Sequence, residues 1–168
     1  IMAMGSTLDF NGVTLQNNSV AAIEEAGWSE FGAGLYAESC DITIDYITVL
    51  DNYSDGNAGG IAVFYGTLEM NNAHFQGNEA NGSYSAMQIS GVQDLITNNV
   101  TIVGNGTSYG NNYGAGMISG SIGTLTETDI VSNGAPNGTV GGLYIHDSNL
   151  IFDEILVEDN SSAHFSPG

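Results

Sequence analysis

The chain is 168 residues long, one domain's worth, and carries 19 Asp and Glu against no Lys or Arg, a formal charge of −19. That balance excludes nucleic-acid binding and adhesion to anionic membranes, because both need cationic contacts. The single cysteine, Cys40, has no internal disulfide partner, and no apolar run of 18 residues could insert as a membrane helix.

Read from the N-terminus, the chain repeats itself. Leu8, Phe10, Val13 and Leu15 lead to Asn18, and the same pattern leads to Asn52, Asn78, Asn105, Asn133 and Asn160. The spacings between these asparagines are 34, 26, 27, 28 and 27 residues. Three positions before each Asn stands Leu15, Val49, Phe75, Ile102, Ile130 or Val157; five before stands Val13, Ile47, Ala73, Val100, Thr128 or Ile155. Eight before stands Phe10, Ile44, Met70, Thr97, Leu125 or Phe152; ten before stands Leu8, Ile42, Leu68, Leu95, Gly123 or Leu150. Self-similarity at this period marks a stacked-repeat protein. Apolar residues two apart mark strands with one inward face.

The spacing therefore predicts an all-β, right-handed parallel β-helix of about six coils, each of ~27 residues with three short strands. Each coil adds ~4.8 Å along the axis, so the rod is on the order of 30 Å long. The asparagines are expected to stack as an inward or half-buried amide ladder. Small pairs such as Gly59-Gly60 and Gly141-Gly142 open the coils, where a positive φ or a close approach of coils is needed. Thr97, Gly123 and Thr128 are the weak points of the inward columns, so the fourth and fifth coils are expected to pack least tightly.

After Asn18 the first connection is longer than the others. Residues 19–27 read as a short helical insertion, with Ser19 as N-cap and Gly27 as stop, followed by the only Trp, Trp28. The next connection, Asp51 to Asn57, offers oxygen ligands around a Gly turn, which suits calcium; a plain Asx-turn loop is the simpler reading. His74 and His146 alternate outward with no second ligand at a metal spacing, and His164 falls in the tail. Thr14, Thr48, His74, Thr101 and Asp129 form one outward column, too broken for a flat row of threonines. Seven Asn-x-Ser/Thr sequons occur, at Asn17, Asn52, Asn81, Asn99, Asn105, Asn137 and Asn160. Three belong to the ladder and should be inaccessible; many sequons arise by chance in an Asn- and Thr-rich chain, but in a eukaryotic secreted protein Asn81 and Asn137, in loops, are the expected glycan carriers.

In the fifth and sixth coils Glu127 and Glu154 are read as occupying the same place, as are their neighbours Asp129 and Asp153. Stacking sets such carboxylates about 5 Å apart, where they raise a pKa or recruit a cation, although a solvated acidic patch is the plainer reading. The metal candidates are thus Asp51, Asp55, Glu127 and Glu154. No cofactor is required, and calcium is the ion these oxygens would suit. The first coil begins with Ile1 and Ala3 in inward places and the last coil closes at Asn160, so both ends are expected to be covered. Further coils of a longer polypeptide or end-stacked copies would do this, and residues 1–168 would then form a single β-helix segment.

The units resemble the repeats of right-handed β-helix surface proteins, especially the polymorphic outer membrane protein type, which carry a GGxI-like and an FxxN tetrapeptide in each coil. Gly59-Gly60-Ile61-Ala62 and Gly141-Gly142-Leu143-Tyr144 are similar to the first, and Phe75-Gln76-Gly77-Asn78 matches the second. Ile102-Val103-Gly104-Asn105 is one of the looser forms. The resemblance covers nearly the whole chain, and its motifs mark a core rather than a site. It implies an adhesin, an autotransporter passenger or a surface-fibre module; the composition by itself suits an extracellular or cell-surface protein, and no catalytic residues are expected. The implied partners are a carbohydrate or host surface and other coils, not nucleic acid or membrane lipid. The alternative it leaves is a carbohydrate-active β-helix, since the same coil occurs in polysaccharide-degrading enzymes. Lyases of that kind use an Arg or Lys as base, and this chain has neither.

Overall fold

A computed structural model describes residues 1–21, 31–108 and 113–163. The described strands form one ten-stranded and one six-stranded sheet, and every pairing is parallel. Strands pair with their counterparts one repeat away rather than with their sequence neighbours. This makes the chain a parallel β-solenoid, six rungs high and about five turns long. No helix occurs among the described residues.

Each rung has three main faces. The first is built by Met2–Met4, 35–38, 61–64, Met87–Ser90, Gly116–Ser119 and Leu143–His146. The second and third are carried by one strand that turns at its middle: Thr7–Gln16, 41–50, 67–76, Asp94–Val103, Ile122–Val131 and Asn149–Glu158. A fourth, two-residue strand follows each ladder asparagine: Ser19–Val20, Tyr53–Ser54, Glu79–Ala80, Gly106–Thr107, Gly134–Ala135 and Ser161–Ser162. The sequence reading of three strands per coil lacks this short fourth one.

The register places the inward columns as the repeat predicts. Leu8, Ile42, Leu68, Leu95, Gly123 and Leu150 are consecutive partners, and so are Leu15, Val49, Phe75, Ile102, Ile130 and Val157. Parallel strands in register stack identical pleat positions, so a residue that points inward in one coil points inward in all. The columns fuse into one core running along the axis, with Ile44, Met70, Phe75, Leu95 and Ile102 fully buried.

Thr97 and Thr128 sit in that core, as expected, and differ in how they meet it. The Thr128 hydroxyl donates to the Thr126 carbonyl at 3.2 Å, whereas the buried Thr97 Oγ1 has no partner. Gly123 is a requirement of the packing rather than a gap: a Cβ there would collide with the Leu95 carbonyl oxygen of the rung below. Gly60 is similar, since its missing Cβ would meet the Ala86 carbonyl. The paired glycines thus serve close approach of coils, and no positive φ is involved at Gly59, Gly60, Gly141 or Gly142.

The corners are made by single left-handed residues. One precedes each ladder Asn: Asn17, Asp51, Gly77, Gly104, Ser132 and Asp159. A second column sits between the second and third faces: Gly12, Tyr46, Asn72, Asn99, Glu127 and Glu154, with φ from 47° to 65°. A third ends the first face: Gly5, Ser39, Tyr65, Gly91, Gly120 and Asp147. One αL residue turns the strand without breaking the ladder, at a cost of about 1–2 kcal/mol for a side chain other than Gly or Asn.

The helix predicted at 19–27 needs correction where the structure describes it. Ser19 and Val20 form a strand paired with Tyr53 and Ser54. Pairing in the short-strand column overrides the N-cap preference of Ser19, because Asn18 delivers the next two residues to that column in every coil. Residues 22–27 and Trp28 lie outside the described residues.

Candidate functional site

The most completely built polar structure is the asparagine ladder. In each step the Nδ2 of one Asn donates to the Oδ1 of the next: Asn18 to Asn52 at 2.8 Å, Asn52 to Asn78 at 2.9 Å and Asn78 to Asn105 at 2.9 Å. Asn105 reaches Asn133 at 3.1 Å and Asn133 reaches Asn160 at 2.9 Å. The same Oδ1 also accepts the backbone N–H of the preceding Asn, as in Asn52 N to Asn78 Oδ1 at 3.1 Å. The second Nδ2 hydrogen goes to a third-face carbonyl of the rung before, as from Asn78 to Val49 at 2.9 Å. Each interior amide is thereby satisfied, which is what burial of five of the six asparagines demands. Asn18, at the first rung, is exposed.

Smaller columns repeat the device. Ser121 Oγ accepts the Val92 N–H at 3.1 Å, and Ser148 Oγ accepts the Ser121 N–H at 3.2 Å. On the outside, Asn99 donates to Asn72 at 2.8 Å and Asn72 to Asp45 at 2.9 Å. A ring column climbs beside the first face. Tyr84 and Tyr113 stack at 5.7 Å, Tyr113 and Tyr144 at 4.4 Å, and His146 lies 6.2 Å from Tyr144. Burial, then the neighbouring phenols of Tyr113 and Tyr144, push Tyr84 up to about 12. Sequence reasoning missed this column, because the three tyrosines fall at unequal spacings in loops and strand.

The carboxylates named from sequence are placed as follows. Glu127 and Glu154 are adjacent rung equivalents, since Thr126 pairs with Asp153 and Thr128 with Ile155. Both stand at left-handed corners with exposed side chains. The equivalence expected for Asp129 and Asp153 needs correction: Asp129 pairs with Leu156 and Asp153 with Thr126, because they stand three positions apart in the repeat, so these two do not stack on each other. Asp51 is an exposed corner residue beside Gly77. Asp55 instead accepts Tyr53 Oη at 2.5 Å and Asn81 Nδ2 at 3.0 Å. That hydrogen bond to the carboxylate is the main reason Tyr53 is raised above the usual tyrosine range. The segment read as a loose loop is therefore partly strand, with Asn52 and Ser54 fully buried. Among the described residues, no three His, Cys, Asp or Glu side chains gather as a metal site would need.

Of the sequons, Asn52, Asn105 and Asn160 are buried in the ladder. Asn137 is exposed, and Asn81 is half-buried with its amide between Tyr53 and Asp55. Asn17 and Asn99 are exposed at corners. His74 lies on the outer third face, 3.1 Å from Gln76, and His146 lies 3.0 Å from Asp147. His164 lies outside the described residues. A shallow groove of about 300 Å³ crosses the short strands, lined by Gly77, Glu79, Gly104, Gly106, Gly134 and Pro136 among others. Glycines leave its floor to the backbone.

Compared with known proteins, the chain matches no family model, no curated protein and no solved structure. Fold and ladder define its class, a parallel β-solenoid of stacked coils.

Proposed function

We propose that the chain is a structural module of an extracellular or cell-surface protein. It acts as a rigid rod that sets a distance and presents its corners and loops to a partner surface, without catalysing a reaction. The observation that supports this reading is the asparagine ladder, satisfied at every interior step over six rungs. Such a network fixes each coil against the next and tolerates no hinge, which suits a spacer better than an enzyme that must close on substrate. The strongly acidic surface suits an adhesive rod that stays soluble and does not bind nucleic acid. Calcium on exposed carboxylates such as Glu127 and Glu154, and glycans on Asn137, are accessory features of the same reading.

Two measurements test it. Small-angle scattering of the 168-residue polypeptide should fit one rigid body on the order of 30 Å along its axis, unchanged when glycans are added. Incubation with polyuronates and neutral glycans should release no product. Product release that disappears in Glu127→Gln or Glu154→Gln would establish the carbohydrate-active alternative instead.

A further inference from the structure

The ring column beside the first face holds a chemistry that a rigid rod does not by itself require. Among the described residues, Tyr84, Tyr113 and Tyr144 are the tyrosines whose rings meet another tyrosine. Tyr113 and Tyr144 are the closer pair, with centroids 4.4 Å apart and planes inclined by 28°. Tyr84 stands 5.7 Å from Tyr113 on the other side. The stacking of coils brings the pair together. Tyr113 is bridged to Val140 one turn on, and Tyr144 follows Val140 closely, in Leu143–His146. Both residues are half-buried, so the stack holds the rings in place while part of each stays open to solvent. Tyr36 and Tyr53 differ: each phenol donates to a carboxylate, on Glu38 and on Asp55.

We propose that Tyr113 and Tyr144 are a site of oxidative cross-linking, where a carbon–carbon bond between the two rings ties one coil to the next. Each phenol gives one electron to a one-electron oxidant and its Oη proton to water. The two phenoxyl radicals then pair their odd electrons in a bond between ring carbons ortho to the hydroxyls. The hydrogen on each joined carbon moves to its own oxygen, which restores both phenols. The net loss is two electrons and two protons. Hydrogen peroxide takes them up as two waters when a haem peroxidase supplies the oxidant.

Proximity selects this pair. Two radicals held in one stack couple as neighbours within a molecule, whereas radicals on separate tyrosines must first meet by diffusion. The bond also supplies what the rod otherwise lacks. Cys40 is the only cysteine and is buried, so no disulfide ties the coils to each other. A covalent tie between residues this far apart in sequence restricts the unfolded chain and favours the folded one, as a disulfide does.

Treatment of the dilute polypeptide with hydrogen peroxide and a haem peroxidase tests the site. The product should keep the size of one chain, lose two hydrogen atoms from its intact mass and gain the fluorescence of coupled phenols. The chain has no Lys or Arg, so digestion beside Asp and Glu maps the bond, which should join Tyr113 to Tyr144. The joined chain should melt at a higher temperature than the untreated one. Tyr113→Phe removes the phenol shared by both stacks and should give no product of single-chain size. Tyr84→Phe should give as much as the parent. In denaturant the bonds should scatter over the other tyrosines. No coupling in the folded parent, a bond mapped to a different pair, a single-chain product in Tyr113→Phe or an unchanged pattern in denaturant overturns the site. A joined chain that melts no higher than the untreated one overturns its role as a tie.

Discussion

Asn78 is held on both sides of its rung. Its Nδ2 donates to Asn105 Oδ1 and to the Val49 carbonyl, and its Oδ1 accepts from Asn52 N and Nδ2. Replacing it by Ala takes the partner from the Val49 carbonyl and from Asn52 N and Nδ2, while Asn105 Oδ1 still accepts the backbone N–H of residue 78; each lost partner costs about 1–3 kcal/mol when the group is fully desolvated. Such costs do not add in full, so Asn78→Ala is expected to lose about 3–5 kcal/mol. Asn18→Ala, at the exposed end of the same ladder, should lose about 1 kcal/mol or less, because water replaces its bonds. Denaturant midpoints of the two variants measure the contrast. Equal losses would mean that the ladder's burial contributes nothing.

Within elements, the ring column ties successive coils on one flank of the rod. Tyr84, Tyr113 and Tyr144 come from different rungs, and their stacking buries Tyr84 enough to hold its phenol neutral up to about 12 against an ordinary 10.0. A raised acidic pKa in the folded state means that the unfolded chain loses its proton first. The neutral phenol's stabilisation is therefore complete below pH 10.0 and is lost as pH rises towards about 12. Melting temperatures of the parent should fall more steeply across that window than those of Tyr84→Phe. The phenolate absorbance of the folded parent should also show one late tyrosine that the variant lacks. Parallel melting curves would remove the link between this stack and stability.

For the molecule as a whole, charge opposes compactness. A formal charge of −19 has no basic side chain to offset it, and salt at 0.15 M shortens the range of the repulsion to about 8 Å. Melting should rise from low to high monovalent salt. Calcium bound only by the folded rod would add to this by mass action. Melts in monovalent salt and in millimolar calcium at matched ionic strength separate the two effects. Equal melting in both leaves screening alone and removes calcium from the functional reading.

The sequence by itself determined the solenoid, its register and its ladder. A two-residue alternation in phase with an invariant Asn admits only one stacking in which all six asparagines and all four inward columns coincide. Residue type carried that information because parallel in-register coils repeat the same environment, and so select the same kind of residue, at each turn. What only the tertiary structure decided were the features set by contact between coils. Glu127 and Glu154 are equivalent by sequence and stack in adjacent rungs, but that both stand exposed at corners in the left-handed conformation shows only in the structure. Gly123 reads as a gap and proves to be where the Leu95 carbonyl approaches. Ser19 reads as a helix cap and becomes a strand residue, since pairing with Tyr53 outweighs a local preference. The tyrosine column was invisible for the same reason: its members are neighbours only once the coils are stacked.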